Sequence, residues 1–150
     1  MIFRIEIREK RNFFDAQGNA VLKDIHDLEI NSVEKVDFIQ VYNFKGDLTP
    51  QEIRLIAEEI LIDSVSQEYC LGSFNNYPSP NQVSLEIAYN PGVMDPVEDS
   101  VKKAIKDLGI NKEVQVKTAK KYILTGNITK EELEIILDKL LYNKLIQHVV

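Results

Sequence analysis

The sequence predicts an α+β fold made of two β-α-β-α-β repeats that form one pseudo-two-fold unit, with antiparallel sheets and the helices on one face. The 150-residue chain aligns with itself at an offset of 80 without a gap, and 18 of the 64 pairs from Arg4/Ser84 to Gln67/Gln147 are identical. In both halves, segments with the period-two apolar pattern of strands are followed by segments with apolar residues at helical spacing. The predicted boundaries are repeat one at 1–71, a linker at 72–82 and repeat two at 83–150, together one compact pseudo-dimeric domain.

Each repeat opens with a strand and a first helix. The segments IFRIEIR and VSLEIAY alternate apolar and polar residues, as a strand with one buried face does. Asp95 is placed to cap the helix of repeat two, with Pro96 at its first position, and Asp15 can cap the helix of repeat one. Gly109 follows the helix end, where a left-handed residue closes many helices. Repeat one has Glu29 there, so either that end closes differently or Glu29 carries a strain of about 1 kcal/mol.

Each repeat continues with an extended stretch, a second helix and a short strand. The extended stretches, roughly 33–44 and 113–124, predict either one long bent strand or two strands joined by a bulge. Thr49–Glu52 and Thr129–Glu132 both match the capping box Thr-x-x-Glu that opens a helix. The chain ends in or just after the last predicted strand, which suggests a piece of a longer protein.

Composition argues against several classes of function. With 18 basic and 24 acidic side chains the net charge is −6, whereas a nucleic-acid binder needs a concentrated positive surface. No apolar run approaches the roughly 18 residues of a membrane span, and the charged N-terminus is no secretory signal. The chain has one cysteine, Cys70, so it cannot form an internal disulfide, and this favours the reducing cytoplasm. Cys70 itself is best explained as a small apolar filler. We therefore expect neither nucleic acid nor membrane among the partners.

Few residues are of the types that carry catalysis. His26, in the first helix, and His148, near the C-terminus, are better explained as surface residues than as catalytic or metal-binding groups. Lys117, Lys120 and Lys121 form one basic cluster on an extended segment, where a solvated or edge-protecting strand is favoured over an anion or acidic-partner site. No glycine-rich phosphate loop occurs. We expect no catalytic residue, metal ligand or cofactor in this chain.

A short motif lies at the turn and first helix of repeat two, in the segment NPGVMDPVEDSVKKAIKDLGI. The residues that carry it are Pro91, Gly92, Val93, Asp95, Pro96, Leu108 and Gly109. Repeat one keeps a complementary part, Asp15, Gln17 and Gly18, but lacks the Pro-Gly pair. The pattern resembles the PurS family, the small subunit of phosphoribosylformylglycinamidine synthase, over nearly the whole chain. A tandem pair of this kind also resembles the N-terminal domain of the large single-chain synthases.

The resemblance implies a role in assembly. Such a domain would bridge the ATP-using synthase part and the glutaminase part of the enzyme, so that ammonia passes between them without loss to water. ATP and magnesium would be bound elsewhere in the full enzyme, a ligase that converts formylglycinamide ribonucleotide to the amidine. The implied partner-binding residues are Asp15, Gln17, Gly18, Pro91, Gly92, Asp95 and Pro96. Residues 1–80 carry a net charge of −6 and residues 81–150 a net charge of zero, as expected if each copy faces a different neighbour.

Two other functions are compatible with the same elements. Alternating strands and helices in tandem copies also describe ACT-like regulatory modules, which would hold a small ligand at the seam between the copies. An unrecognised enzyme is disfavoured by the scarcity of histidine, cysteine and glycine-rich loops.

Overall fold

The computed structural model describes residues 2–74 and 80–150, and these residues form the same series of elements twice. Repeat one contains β1 (Ile2–Glu9), α1 (Ala16–Asp27), β2 (Val33–Gly46), α2 (Pro50–Ile56) and β3 (Gln67–Leu71). Repeat two contains β4 (Gln82–Tyr89), α3 (Glu98–Asp107), β5 (Val114–Gly126), α4 (Lys130–Ile136) and β6 (Gln147–Val149). The predicted β-α-β-α-β order is confirmed in both repeats. Residues 75–79 of the predicted linker lie outside the described residues.

The strands form an antiparallel sheet in the order β3-β1-β2-β5-β4-β6. β1 pairs with β2, where Ile5 lies opposite Tyr42, and β4 pairs with β6, where Ala88 lies opposite His148. Both extended stretches form one unbroken strand each, so the first of the two predicted alternatives is correct. The predicted α+β class with an antiparallel sheet is confirmed.

The second helix of each repeat begins at the predicted capping box. The Thr49 hydroxyl accepts a hydrogen bond from the Glu52 backbone N–H at 3.1 Å, and the Glu52 carboxylate accepts one from the Thr49 N–H at 2.9 Å. Thr129 and Glu132 make the same reciprocal pair. Each helix then widens into a π-helical turn, at Ala57–Leu61 and at Leu137–Leu141.

The first helices begin differently from one another, and one prediction is wrong. Asp15 caps α1 as expected, because its carboxylate accepts from the Gly18 N–H at 2.9 Å. Asp95 does not cap α3, which begins at Glu98 with Val97 as its N-terminal flanking residue. Pro96 therefore lies in the preceding turn and not at the first helical position. The two helix starts differ in sequence at all three positions that follow the aspartate, including that of Gly18, where repeat two has Glu98.

The first helices end alike. Gly109 has φ 90° and Glu29 has φ 65°, so both lie in the left-handed region. The N–H of Glu29 donates to the carbonyl of His26 at 2.9 Å, and the N–H of Ile30 donates to that of Ile25 at 3.4 Å. This is a Schellman closure. Of the two alternatives left open by the sequence, strain at Glu29 is the correct one.

The contacts divide the chain into two compact units, and each unit draws on both repeats. Unit 1 comprises Met1–Phe13, Gln40–Phe74 and Met94–Ala119, and unit 2 comprises Phe14–Ile39, Asn75–Val93 and Lys120–Val150. Unit 1 thus combines α2 of repeat one with α3 of repeat two, and unit 2 combines α1 with α4. The first helix of each repeat packs in the unit that holds the second helix of the other repeat. The prediction of a single pseudo-dimeric domain stays a prediction.

Each unit has its own hydrophobic core between its helices and one face of its strands. The core of unit 1 consists of Ile5, Ile7, Phe44, Leu48, Ile53, Ile56, Ala57, Val101, Ile105, Ile110, Val114 and Val116. The core of unit 2 consists of Ile25, Ile30, Val33, Val36, Phe38, Leu85, Ile87, Tyr122, Leu124, Ile136 and Leu141. Each core includes residues of a first helix, Val101 and Ile105 in unit 1 and Ile25 in unit 2. Removing that helix would therefore expose the remaining apolar residues of its unit to water, which is unfavourable.

Equivalent polar contacts also join the two repeats within each unit. In unit 1 the Lys112 ammonium lies 2.7 Å from the Glu52 carboxylate. In unit 2 the Ser32 hydroxyl donates to the Glu132 carboxylate at 3.0 Å. Ser32 and Lys112 are equivalent positions, so the capping glutamate of each second helix contacts a residue in the segment between the first helix and the long strand of the other repeat.

Candidate partner-binding turns

The residues predicted to bind partners lie in and beside two equivalent turns. The first turn, residues 10–15, joins β1 to α1, and the second turn, residues 90–97, joins β4 to α3. Each opens with a backbone hydrogen bond of the same form, from Phe13 to Lys10 at 2.9 Å and from Val93 to Asn90 at 3.0 Å. Gly92 has φ 85°, a conformation that a residue with a Cβ adopts only with strain.

Asp15 fixes the exit of the first turn. One of its carboxylate oxygens accepts from the Gly18 N–H, and the other accepts from the backbone N–H of Phe38 on β2 at 2.9 Å. A Cβ on Gly18 would overlap the carbonyl oxygen of Val36 and the Asp15 carboxylate. Gly18 is therefore needed for the close approach of α1 to β2, and its part in the structure is internal.

Asp95 fixes the second turn from a buried position. Its side chain is only 2% exposed, and one carboxylate oxygen accepts from both the backbone N–H and the hydroxyl of Thr118, at 2.6 and 2.8 Å. The other oxygen accepts from the Val97 N–H at 3.0 Å. Burial, followed by the nearby charge of Asp95, raises the pKa of Tyr42. The carboxylate thus ties the turn to β5 and has no surface to offer a partner.

A glutamate at the position of Gly18 explains why α3 starts late. Glu98 carries a side chain where α1 has none, so this helix cannot approach its strand as α1 does. Its carboxylate instead accepts from the Val116 N–H at 3.4 Å and lies 3.2 Å from the ammonium groups of Lys102 and Lys117. Burial alone would raise the pKa of Glu98, but these hydrogen bonds outweigh it and the pKa is lowered.

The remaining predicted residues are accessible to a partner. Gln17, Pro91, Gly92 and Pro96 are exposed. The turns also present exposed apolar side chains that the prediction did not include: Phe13 and Phe14 in the first turn, and Val97 and Met94 in the second. The most exposed of these are Phe14, at 73%, and Met94, at 79%. They occupy equivalent positions one residue before the two aspartates, and an apolar residue at both places is the signal that could have identified them.

The other candidate groups show no catalytic arrangement. His26 is exposed, with its Nε2 3.0 Å from the Val33 carbonyl, and His148 is exposed, with its Nδ1 3.1 Å from the Asn90 side-chain oxygen. The Lys117 ammonium forms an ion pair with the Glu98 carboxylate at 3.2 Å, and Lys120 is exposed on β5. Within residues 2–74 and 80–150, no three His, Cys, Asp or Glu side chains are grouped to hold a metal. Over the same residues, no helix is both long enough and apolar enough to cross a membrane.

Comparison with known protein families shows which family the chain belongs to. The model of the PurS family, described as phosphoribosylformylglycinamidine (FGAM) synthase, matches residues 2–72 and again residues 82–150. The chain belongs to the PurS family. The predicted resemblance, in tandem over both repeats, is therefore confirmed, and it places this PurS chain with a synthase of purine biosynthesis.

A solved structure of a PurS protein also matches part of the chain. PurS of B. subtilis, in a C2 crystal form, is 22% identical to this chain, and the match covers 47% of this chain and 92% of that one with a TM-score of 0.42. The search of curated proteins gives no match.

Proposed function

We propose that the chain is a non-catalytic assembly domain of a phosphoribosylformylglycinamidine synthase, which bridges the ATP-using synthase part and the glutaminase part. The observation that carries the proposal is the PurS match to both repeats. In this proposal ATP and magnesium are bound outside this chain, and the assembled enzyme works in the cytoplasm.

The two turns are the surface through which we propose that the chain holds its partners. Phe14 and Met94 are large, apolar and exposed, and each stands beside an aspartate that anchors its turn to a strand. Aromatic residues and methionine are enriched in the cores of protein interfaces, where a few residues dominate the binding energy. The two turns differ in sequence, with Gln17 near one and Pro91-Gly92 in the other, which supports two different partner surfaces.

The test compares two activities of the assembled enzyme. Phe14→Ser and Met94→Ser should each lower glutamine-dependent amidine formation by about tenfold or more, as expected when a dominant interface residue is lost. Turnover with free ammonia should change less, because ammonia supplied in solution needs no transfer between parts.

Ile135→Ser is the control. Ile135 is an apolar residue 45% exposed on α4, outside both turns. If both turn variants behave as Ile135→Ser does, with unchanged glutamine-dependent turnover, the proposed role of the turns is wrong.

A further inference from the structure

Unit 1 contains a cavity whose lining is unlike the partner-binding turns. It has a volume of about 420 Å³ and lies between α3 and the start of β5. Its polar lining consists of Lys102, Lys106, Lys112, Asn111 and Glu113. Cavities of roughly 300–1,000 Å³ hold small molecules in proteins.

The three lysines of the cavity differ in how they are engaged. The ammonium of Lys102 lies 3.2 Å from Glu98, and that of Lys112 lies 2.7 Å from Glu52. Side-chain hydrogen bonding from Lys112 and a backbone hydrogen bond with Thr49 lower the pKa of Glu52. Lys106 has no carboxylate within ion-pair distance among residues 2–74 and 80–150, so its charge is available to a ligand.

Two further polar side chains in the cavity are also available. Neither the Asn111 amide nor the Glu113 carboxylate has a side-chain hydrogen bond to any residue that the structure describes, and both are exposed. An amide can donate to an anion, whereas a carboxylate repels one and accepts from a hydroxyl or an amine. Ile105 and Val114 supply an apolar wall beside them.

The charges around the cavity balance to a small positive excess. Lys102, Lys106 and Lys112 line it, Lys117 shares Glu98 with Lys102, and three carboxylates face them at Glu52, Glu98 and Glu113. Lys112 pairs with Glu52, and Lys102 and Lys117 share Glu98, so the one positive charge left over lies at Lys102 and Lys117. Lys106 and Glu113 add one unpaired charge of each sign. Ammonium groups are compact donors that suit phosphate as point charges.

The lining is specific to repeat two. The positions of repeat one equivalent to Lys102, Lys106 and Lys112 are Leu22, His26 and Ser32. Val33 stands at the position of Glu113. The other repeat therefore lacks both the lysine side chains and the acceptor, and the pattern is not a requirement of the shared fold.

We propose that this cavity binds a small phosphate monoester that also carries hydroxyl groups. The phosphate contacts Lys106 and Asn111, with Lys102 and Lys112 at its sides, and a ligand hydroxyl donates to Glu113. This site is separate from the assembly role and does not depend on it.

The test is a titration of the full chain, followed through the ¹H–¹⁵N signals of unit 1 by NMR, with three probes: ribose 5-phosphate, inorganic phosphate and ribose. Ribose 5-phosphate should bind saturably and shift the signals of residues 102–114. Inorganic phosphate should bind more weakly, and ribose alone should not bind. Sodium chloride at matched ionic strength controls for screening of surface charge.

Lys106→Gln should weaken ribose 5-phosphate binding about tenfold, the loss expected for one hydrogen bond to a charged group. Lys103→Gln is the charge-matched control, because Lys103 is an exposed lysine of α3 that does not line the cavity. Equal affinity in the Lys106 and Lys103 variants, equal shifts with chloride, or equal affinity for ribose 5-phosphate and inorganic phosphate would each overturn the proposal.

Discussion

The same aspartate position has different structural roles in the two repeats, at Asp15 and at Asp95. Both carboxylates accept from the backbone of the neighbouring long strand, at Phe38 and Thr118. Only Asp15 also caps its helix, because Gly18 lets α1 come close enough. Repeat two has Glu98 instead of this glycine and starts its helix later. The first helices of the two repeats thus begin at different positions although both follow this aspartate.

The buried carboxylate of Asp95 predicts a large loss of stability when it is removed. Asp95→Ala leaves the N–H and hydroxyl of Thr118 without their acceptor, and an unsatisfied buried polar group costs about 1–3 kcal/mol. We expect a total loss of about 2–4 kcal/mol in the free energy of unfolding, measured by urea denaturation.

Asp99→Ala is the control for the effect of charge. Asp99 is an exposed acid in the first turn of the same helix, so its removal should change stability by less than about 1 kcal/mol. Equal losses in the two variants would mean that the hydrogen bonds of Asp95 contribute nothing beyond its charge.

At the scale of elements, local sequence determines some features and tertiary contact determines others. Four residues are enough to specify each capping box, so Thr49–Glu52 and Thr129–Glu132 were predictable. The start of α3 was not, because it depends on how closely the helix approaches Val116 on β5. The same limit applies to the candidate site, where burial of Asp95 and exposure of Phe14 follow from packing that no local pattern reveals.

The matched helix ends provide a direct test of backbone strain. Glu29→Gly should stabilise the protein by about 0.5–1 kcal/mol, since a left-handed residue with a Cβ costs more than glycine does there. Gly109→Ala should destabilise by about 1 kcal/mol for the same reason, because open space surrounds that position and only the backbone is strained.

Glu29→Ala separates strain from charge. Its side chain is neutral, so it relieves the repulsion between a carboxylate and the helix C-terminus, but it keeps the left-handed strain. Chemical denaturation should show a smaller gain for Glu29→Ala than for Glu29→Gly. If the two variants gain equally, the charge and not the backbone conformation is the source of the instability.

At the scale of the whole molecule, the two repeats exchange their first helices: α3 of repeat two lies in the unit of α2, and α1 of repeat one lies in the unit of α4. The repeat itself was visible in the sequence, but the exchange was not, because two copies with the same apolar pattern can pair with their own strands or with those of the other copy. The contacts Lys112–Glu52 and Ser32–Glu132 are formed only in the exchanged arrangement that the structure contains. Each unit thereby needs both repeats to complete its core.

Fragment complementation tests this exchange most directly. Residues 1–74 and 80–150 would be prepared separately, kept monomeric by dilution as verified by sedimentation, and followed by methyl NMR of Ile5, Ile53 and Ile105. Each monomeric fragment alone should lack a cooperative unfolding transition, and mixing the two should restore the methyl spectrum of the full chain. A monomeric fragment of residues 1–74 that unfolds cooperatively and already shows the Ile5 and Ile53 signals of the full chain would contradict the account.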